Sequence, residues 1–400
     1  MELARWVEDA RRRTLALYGD LDDAQIAVPY LEIINPPIWE LGHVAFFQQF
    51  WVLRDERRRE LYDSARVAHR TRWSLPLPSR AETVAYLEET AARVLARLDE
   101  VDPYFVHLSV FHEDMHDEAF AYTRQTLGLP PPPFAAEPRD ASGPLPGDAQ
   151  VPGGRFLLGA EPGDAFVFDN EKWAHPVEVG PFAIARAPVT QAAFAAFVDD
   201  GGYRRRELWT EAGWAWREAA GAERPLTWSA DGGHRRWDRW LPLEPERNRP
   251  MLHVNAHEAE AWCRWAGRRL PTEAEWELAA GGPERRRFPW GDDPPTPERA
   301  HLDFTAHGTV DVAACPAGDS PYGCRQMIGN VWEWTASPFV PYPGFVVDPY
   351  QEYSEPWFHT HRVLRGGCFV TRGRLLRNSW RNFYPPDRRD VWAGFRTCAL

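Results

Sequence analysis

Leu129-Pro130-Pro131-Pro132-Pro133, followed by Pro138, Pro144, Pro146 and Pro152, divides the 400-residue chain into two parts of different character. Consecutive prolines fix φ and supply no backbone N–H, so the stretch is semi-rigid and cannot be helical. N-terminal to it, apolar residues recur at helical spacing and glycine is scarce. The spacing predicts helices over residues 3–18, 37–59, 80–98 and 103–127. The prolines of Asn35-Pro36-Pro37 and Asp102-Pro103 sit where a first helical turn tolerates them. Four such helices predict a four-helix bundle over residues 1–130, with a proline-rich linker over 131–150.

Beyond the linker, residues 151–400 carry short β-rich runs (155–159, 181–185, 362–365, 393–398) between Gly, Pro and Asp turns. Helices are expected over 190–199 and 255–266. A third begins at Thr272, with Glu275 completing a capping box. Short strands, few helices and long loops read as α+β. The fold class is therefore α + (α+β).

Lys plus Arg is 46 and Asp plus Glu 58, a net charge of −12, which gives no electrostatic reason to hold a nucleic-acid backbone. No run approaches the ~18 apolar residues of a membrane span, and the N-terminus has no apolar signal core. A cytoplasmic protein, monomeric or a weak homodimer, is expected. The five cysteines form no CxxC pair, which excludes a zinc ribbon and fits free thiols in a reducing compartment.

His112 and His116, in Phe111-His112-Glu113-Asp114-Met115-His116-Asp117, lie one helical turn apart on one face. That spacing can place two ligands on one metal; two solvated histidines flanked by acids have it too. His43 sits in Trp39-Glu40-Leu41-Gly42-His43-Val44-Ala45-Phe46-Phe47, a helix apolar on nearly every side. It is either a hydrogen-bonded core residue or a third ligand, since bundles build metal sites from facing helices. Three neutral imidazoles suit iron(II), zinc or copper more than calcium. Glu113, Asp114 and Asp117 are candidates to orient the rings.

In the second part, Trp332 and Trp334 read as core. Phe383 and Tyr384, in a Pro-bounded loop, are candidates for a ligand pocket, where aromatic rings hold a quaternary ammonium by ~1–2 kcal/mol when desolvated. Arg388 and Arg389 are candidates to clamp a carboxylate, against the alternative of a solvated pair.

Residues 151–396 resemble the sulfatase-modifying-factor, or formylglycine-generating-enzyme, fold, a C-type-lectin-like domain. The landmarks are Pro152-Gly153-Gly154-Arg155-Phe156 with Gly159, Asn170-Glu171, Pro188-Val189-Thr190, the run from Arg268 to Glu277, Pro289-Trp290-Gly291, Gly329-Asn330-Val331-Trp332-Glu333-Trp334-Thr335 and Arg365-Gly366-Gly367. The N-terminal part resembles a DinB bundle. The two together are similar to the ergothioneine sulfoxide synthases and their relatives, the selenoneine synthases. The resemblance implies iron(II) held by His43, His112 and His116. It implies O₂ as co-substrate, and hercynine as the acceptor to whose imidazole C2 sulfur or selenium is joined. It also implies that Asn382 and Phe383 bind the acceptor and that Tyr342, in Pro341-Tyr342-Pro343-Gly344-Phe345, is the catalytic proton or electron donor. Fold analogy admits calcium in the C-terminal domain.

Two departures bear on the donor. Branches using γ-glutamylcysteine usually carry Asn-Trp-Asp where this chain has Asn382-Phe383-Tyr384, and Gln where it has Met115. Both changes argue against γ-glutamylcysteine; the Asn35-Pro36-Pro37-Ile38-Trp39-Glu40-Leu41-Gly42-His43-Val44-Ala45 signature and the compact length resemble the selenoneine branch, which implies a selenosugar donor, with a thiol donor such as γ-glutamylcysteine or cysteine as the alternative. A formylglycine-generating enzyme would need a cysteine pair after Arg365-Gly366-Gly367, and residues 370–381 contain none. A non-catalytic lectin-like module is the remote alternative.

Overall fold

The computed structural model describes residues 2–138, 141–164 and 166–400. Met1 of the expected bundle, Arg139 and Asp140 of the expected linker, and Ala165 of the expected C-terminal domain lie outside them. The chain forms two compact units, Met1–Phe134 and Ala135–Leu400.

The first unit is built on four long helices: α1 (Glu2–Tyr18), α2 (Pro37–Leu53), α3 (Arg80–Leu95) and α4 (Pro103–Leu127). Their ends follow local chemistry. Asp102 accepts a hydrogen bond from the Tyr104 N–H to cap α4, Pro103 occupies the first turn, and Gly128 closes the helix at φ +68°. Ser79 and Glu82 form a capping box on α3. α2 stops at Leu53, six residues short of the expected 59. Arg54 takes the left-handed conformation, and Gln49 turns back to donate to the Asp55 and Arg57 carbonyls. The polar run that follows leaves the apolar helix: Asp55 accepts from Arg57 at 2.9 Å and from Arg93 of α3 at 2.8 Å. α2 is buried nearly all round, with Trp39, Leu41, Val44, Ala45, Phe46 and Phe47 in the core.

The second unit is mixed α+β. The chain after Ala135 is already bonded into it: the Ala136 N–H donates to Thr305 O, the His307 N–H to Ala136 O, and the Gly143 N–H to Asp311. Strand β1 (Asp148–Val151) starts inside the expected linker. β2 (Gly154–Leu158) pairs with β3 (His175–Val179), and β4 (Phe182–Ala185) pairs with β1. Helices α5 (Gln191–Asp199), α7 (Ala256–Ala266) and α8 (Glu273–Gly281) are capped by Thr190, Asn255 and Thr272, the last two through capping boxes. Helix α6 (Glu211–Ala219) and the hairpin β5 (Gly233–Arg236)–β6 (Arg239–Pro242) were not among the sequence expectations.

Two four-stranded sheets organise the unit. One has the order β1-β4-β12-β7, with β7 (Arg268–Arg269) and β12 (Cys398–Ala399). The other has the order β10-β9-β8-β11, with β8 (Trp332–Pro338), β9 (Arg362–Arg365), β10 (Asn382–Tyr384) and β11 (Ala393–Gly394). The expected single strand over 393–398 is thus divided between the sheets. Gly394 approaches the Met251 carbonyl so closely that a Cβ would lie 2.0 Å from it, and Arg396 turns inward to Glu333. Trp332 and Trp334 are fully buried, as expected. None of the five cysteines forms a disulfide.

Candidate metal centre

Helix α2 delivers His43 and helix α4 delivers His112 and His116 to one place in the first unit. Each offers a ring nitrogen, and the three atoms lie within 4.8 Å of one another. The Nε2 atoms of His43 and His112 are 3.3 Å apart. His43 and His112 are 4 % exposed; the His116 side chain is 19 % exposed, so the cluster is reached from one side. Burial foremost, and then the neighbouring imidazoles, hold both His43 and His112 well below the usual histidine pKa.

Packing fixes the rings. Trp39 stacks on His43 (4.9 Å between centroids, 10°) and Phe47 on His112 (3.5 Å, 4°). The Arg72 guanidinium lies over the far partner of the first stack, 3.9 Å from the Trp39 ring. His43 Nδ1 lies 2.7 Å from the Tyr62 carbonyl, which can only accept, so that nitrogen carries the proton and Nε2 keeps its lone pair. Gly42 makes this approach possible: a Cβ there would lie 2.2 Å from the Tyr62 ring.

The carboxylate that meets a ring of the cluster is Glu40, whose Oε1 lies 2.6 Å from His116 Nδ1. Glu113 and Asp117, expected in that role, are rotated about 100° around α4 from the histidine face and serve α1 instead. Glu113 accepts from Arg11 at 2.8 and 3.2 Å, and the Thr14 hydroxyl lies 2.8 Å from a carboxylate oxygen of Glu113 and of Asp117. Asp114 is buried. Glu40 stands three residues before His43, hence on the same helical face, and that spacing was the available signal for it. The Tyr62 carbonyl had no signal, because nothing local ties it to α2. Met115 is half-buried on α4, next to His116.

The remaining expected site residues belong to the second unit. β10 pairs antiparallel with β9, so that Asn382 faces Leu364, Phe383 faces Val363 and Tyr384 faces Arg362. Asn382 Oδ1 accepts from the Phe383 N–H. Phe383 stacks on the buried Phe339 (4.0 Å, 12°), while Tyr353 and His361 stand nearly perpendicular to it at 5.8 and 5.9 Å. Burial, with help from Arg388, pushes His361 down to about 4, so that its ring is neutral near pH 7. Four aromatic rings thus meet at β10.

Arg388, Arg389 and Tyr342 are each engaged by neighbouring side chains. Arg388 does not hold its fork open for a carboxylate: its guanidinium makes a double contact with Asp390 (2.9 and 3.0 Å) and lies 5.2 Å from the Tyr384 ring. Arg389 lies over Trp216 and 3.5 Å from Glu258. Tyr342, expected as the catalytic donor, is 5 % exposed inside the core of the second unit. Its hydroxyl donates to Glu273 at 2.7 Å, and the Arg381 guanidinium covers its ring at 4.1 Å. Burial raises its pKa well above the usual phenol range, reinforced by Glu273 against Arg381. Among the described residues, no cluster of three histidines, cysteines or carboxylates other than the His43 group could hold a metal, so the calcium expectation finds no carboxylate cluster in the second unit. Among them too, no helix is long and apolar enough to cross a membrane.

The comparisons with known proteins follow the same division. Residues 7–127 match the DinB superfamily, and residues 133–399 match the sulfatase-modifying factor enzyme 1-like domain. The chain is 42 % identical to the hercynine oxygenase of Mycolicibacterium thermoresistibile, over 99 % of this chain and 94 % of that protein. It is 38 % identical to the hercynine oxygenase of Mycolicibacterium smegmatis, over 97 % and 96 %. It is 33 % identical to the formylglycine-generating enzyme of Streptomyces coelicolor, over 68 % of this chain and 96 % of that one.

Proposed function

Because the chain belongs to the hercynine oxygenase family, we propose that it is a non-haem iron(II)- and O₂-dependent oxidoreductase that joins selenium from a selenosugar to the imidazole C2 of hercynine. The observation that carries the redox reading is the convergence of His43, His112 and His116. The donor set fits the metal: three imidazoles with lone pairs in reach of one another, no thiolate, and the unfilled coordination positions that O₂ and substrates need. Iron bound there supplies the one-electron and O₂ chemistry; the chain supplies binding and orientation.

For the acceptor, the aromatic rings around Phe383 suit a trimethylammonium group, which is attracted to ring faces and repelled by cations. A neutral His361 serves in such a wall, whereas a protonated one would not. Asn382 offers an amide beside it.

For the donor, two observations favour the selenosugar over γ-glutamylcysteine. The chain has Tyr384 where the peptide-using branch has an acid for the donor's ammonium, and Arg388 is already answered by Asp390. A sugar donor asks for hydroxyl contacts and stacking instead of paired charges. The test is a direct competition. The iron-loaded full-length protein receives hercynine and O₂ with either a 1-selenosugar or γ-glutamylcysteine. The expected result is a kcat/KM at least about 10-fold higher for the selenosugar, a difference of about 1.4 kcal/mol in transition-state binding. A preference for the peptide moves the enzyme to carbon–sulfur chemistry, and absence of product from both donors with hercynine left unconsumed by iron-loaded protein points to a different donor class.

A further inference from the structure

Glu40 is 1 % exposed, and its Oε1 lies 2.6 Å from His116 Nδ1. Its other oxygen, Oε2, is also buried and meets no hydrogen-bond donor among the described residues. Packing alone gives no reason for an acid here. A leucine or methionine would fill the space without the desolvation cost of a half-answered carboxylate, which runs to a few kcal/mol. The hydroxyl of Tyr18, near enough for Glu40 to help raise its pKa, makes no hydrogen bond to it either. The missing compensation therefore has to come through the one group Glu40 touches, the His116 ring.

We propose that Glu40 is a positioning residue for the metal of the His43–His112–His116 cluster: it holds the His116 proton on Nδ1, turns Nε2 toward the other two rings, and strengthens that nitrogen as a donor. The inference rests on the metal reading above. A carboxylate accepting from Nδ1–H fixes both the tautomer and the ring orientation and raises the basicity of the opposite nitrogen. A cation on Nε2 in turn offsets the buried negative charge through the ring, which accounts for the unanswered Oε2.

The three ligands are not equivalent. His43 is oriented by a neutral acceptor, the Tyr62 carbonyl at 2.7 Å, and His116 by a carboxylate. His116 is also the most exposed of the three, so aromatic packing holds it least: Phe47 and Trp39 stack on the other two rings. The charged partner stands behind the ligand that packing leaves loosest. It stands on α2, three residues from His43, so one helix contributes a ligand and also sets the aim of a ligand on α4. A shift of α2 against α4 would disturb both at once.

Cobalt(II) serves as the probe, because its visible absorption reports ligand field as well as occupancy. The metal-free full-length protein is titrated with cobalt(II) under argon, with a competing chelator, as wild type, Glu40→Gln and Glu40→Ala. Far-UV circular dichroism and thermal unfolding of the metal-free proteins run alongside. Wild type is expected to bind one cobalt per chain. Glu40→Ala is expected to bind 10–100-fold more weakly, with a shifted absorption band, and Glu40→Gln, which keeps a neutral acceptor, about 10-fold more weakly. Metal-free Glu40→Gln should melt no lower than wild type, since it removes a buried charge. Unchanged affinity and spectrum in Glu40→Gln and Glu40→Ala would overturn the role of Glu40 while leaving the metal site standing. If Glu40→Ala fails to fold, Glu40→Gln alone decides. Folded wild type that binds no cobalt would overturn the metal reading itself, and the inference with it.

Discussion

In the second unit, each buried guanidinium of the central network meets a carboxylate. Arg396 donates two hydrogen bonds to Glu333, both side chains completely buried, at 2.8 Å on each arm. Arg365 reaches Glu273 and Glu277 at 2.8 Å, Arg381 reaches Glu273 at 2.6 Å, and Arg377 grips Glu171. In the first unit, the buried imidazoles of His43 and His112 and the partly buried His116 meet one another. The first arrangement pairs each positive charge with a negative one. The second gathers lone pairs that only a proton or a metal ion can share. Burial of polar groups does not distinguish the two; what each group faces does.

If the second unit's network is structural, breaking one pair should damage folding most. Arg396→Met leaves Glu333 buried with only the Trp276 indole N–H for company, at 2.7 Å. The expected loss is about 3–5 kcal/mol of stability in urea unfolding, because an unpaired buried charge costs more than the pair contributes. The double variant Arg396→Met/Glu333→Gln should recover at least half of it. Equal loss in both would mean that packing around Arg396, and not its charge, holds the unit together.

If the first unit's cluster is a ligand set, His112→Ala should leave the fold and remove the metal. Structural zinc sites of four ligands are worth about 10–16 kcal/mol, so one ligand accounts for roughly 2.5–4 kcal/mol and its loss for a ~10²–10³-fold fall in affinity. Metal content per chain after dialysis reads this directly, with circular dichroism as the control for folding. Metal retained at wild-type stoichiometry would remove His112 from the set.

A buried imidazole without imidazole neighbours sharpens the comparison. His253 of the second unit is 4 % exposed, tilted on Trp392 at 4.8 Å, and pushed down to about 4 by burial, with Asp390 opposing and Arg235 assisting. A histidine that binds its proton less readily folded than unfolded makes stability rise with pH between the two values. Stability should therefore be full above about pH 6.5 and fall as pH drops toward about 4, by about 3 kcal/mol at about 1.4 kcal/mol per pH unit. His253→Asn, which tolerates the positive φ at this position, should flatten that window by a comparable amount. The same slope in wild type and variant would assign the acid sensitivity elsewhere.

Much of this was legible in the chain, and the losses have physical causes. α4 could be read from Asp102-Pro103 to Gly128 because caps and apolar period agree, and His112 with His116 because spacing four is one helical turn; His43 joined them only through the resemblance. The end of α2 could not, since the left-handed turn at Arg54 depends on Arg93 of a different helix reaching Asp55. The divided C-terminal strand was hidden because its break is set by Gly394 against Met251, about 140 residues away in sequence. Tyr342 entered through the resemblance alone, and its surroundings could not be read from the chain. Only the fold reveals Glu273, Arg365 and Arg381 closing over it.

Tyr342 yields the smallest effect and the most pointed test. In Tyr342→Phe the ring stays in place between His175 and Arg381, and only the hydroxyl donated to Glu273 is lost. Glu273 keeps both arginines, which against the cost of burial hold its carboxyl below the usual range, so the remaining charge stays answered. The expected cost is about 1 kcal/mol, the net worth of one hydrogen bond whose acceptor has other donors. Turnover should change by less than about twofold. A residue that delivers a proton in the reaction would instead cost about 10²–10⁴-fold in kcat when its hydroxyl is removed. Stability and turnover measured on the same sample separate the two roles: a small fall in melting temperature with unchanged kcat places Tyr342 with the closed network of the second unit, and a collapse of kcat at unchanged stability returns it to the chemistry.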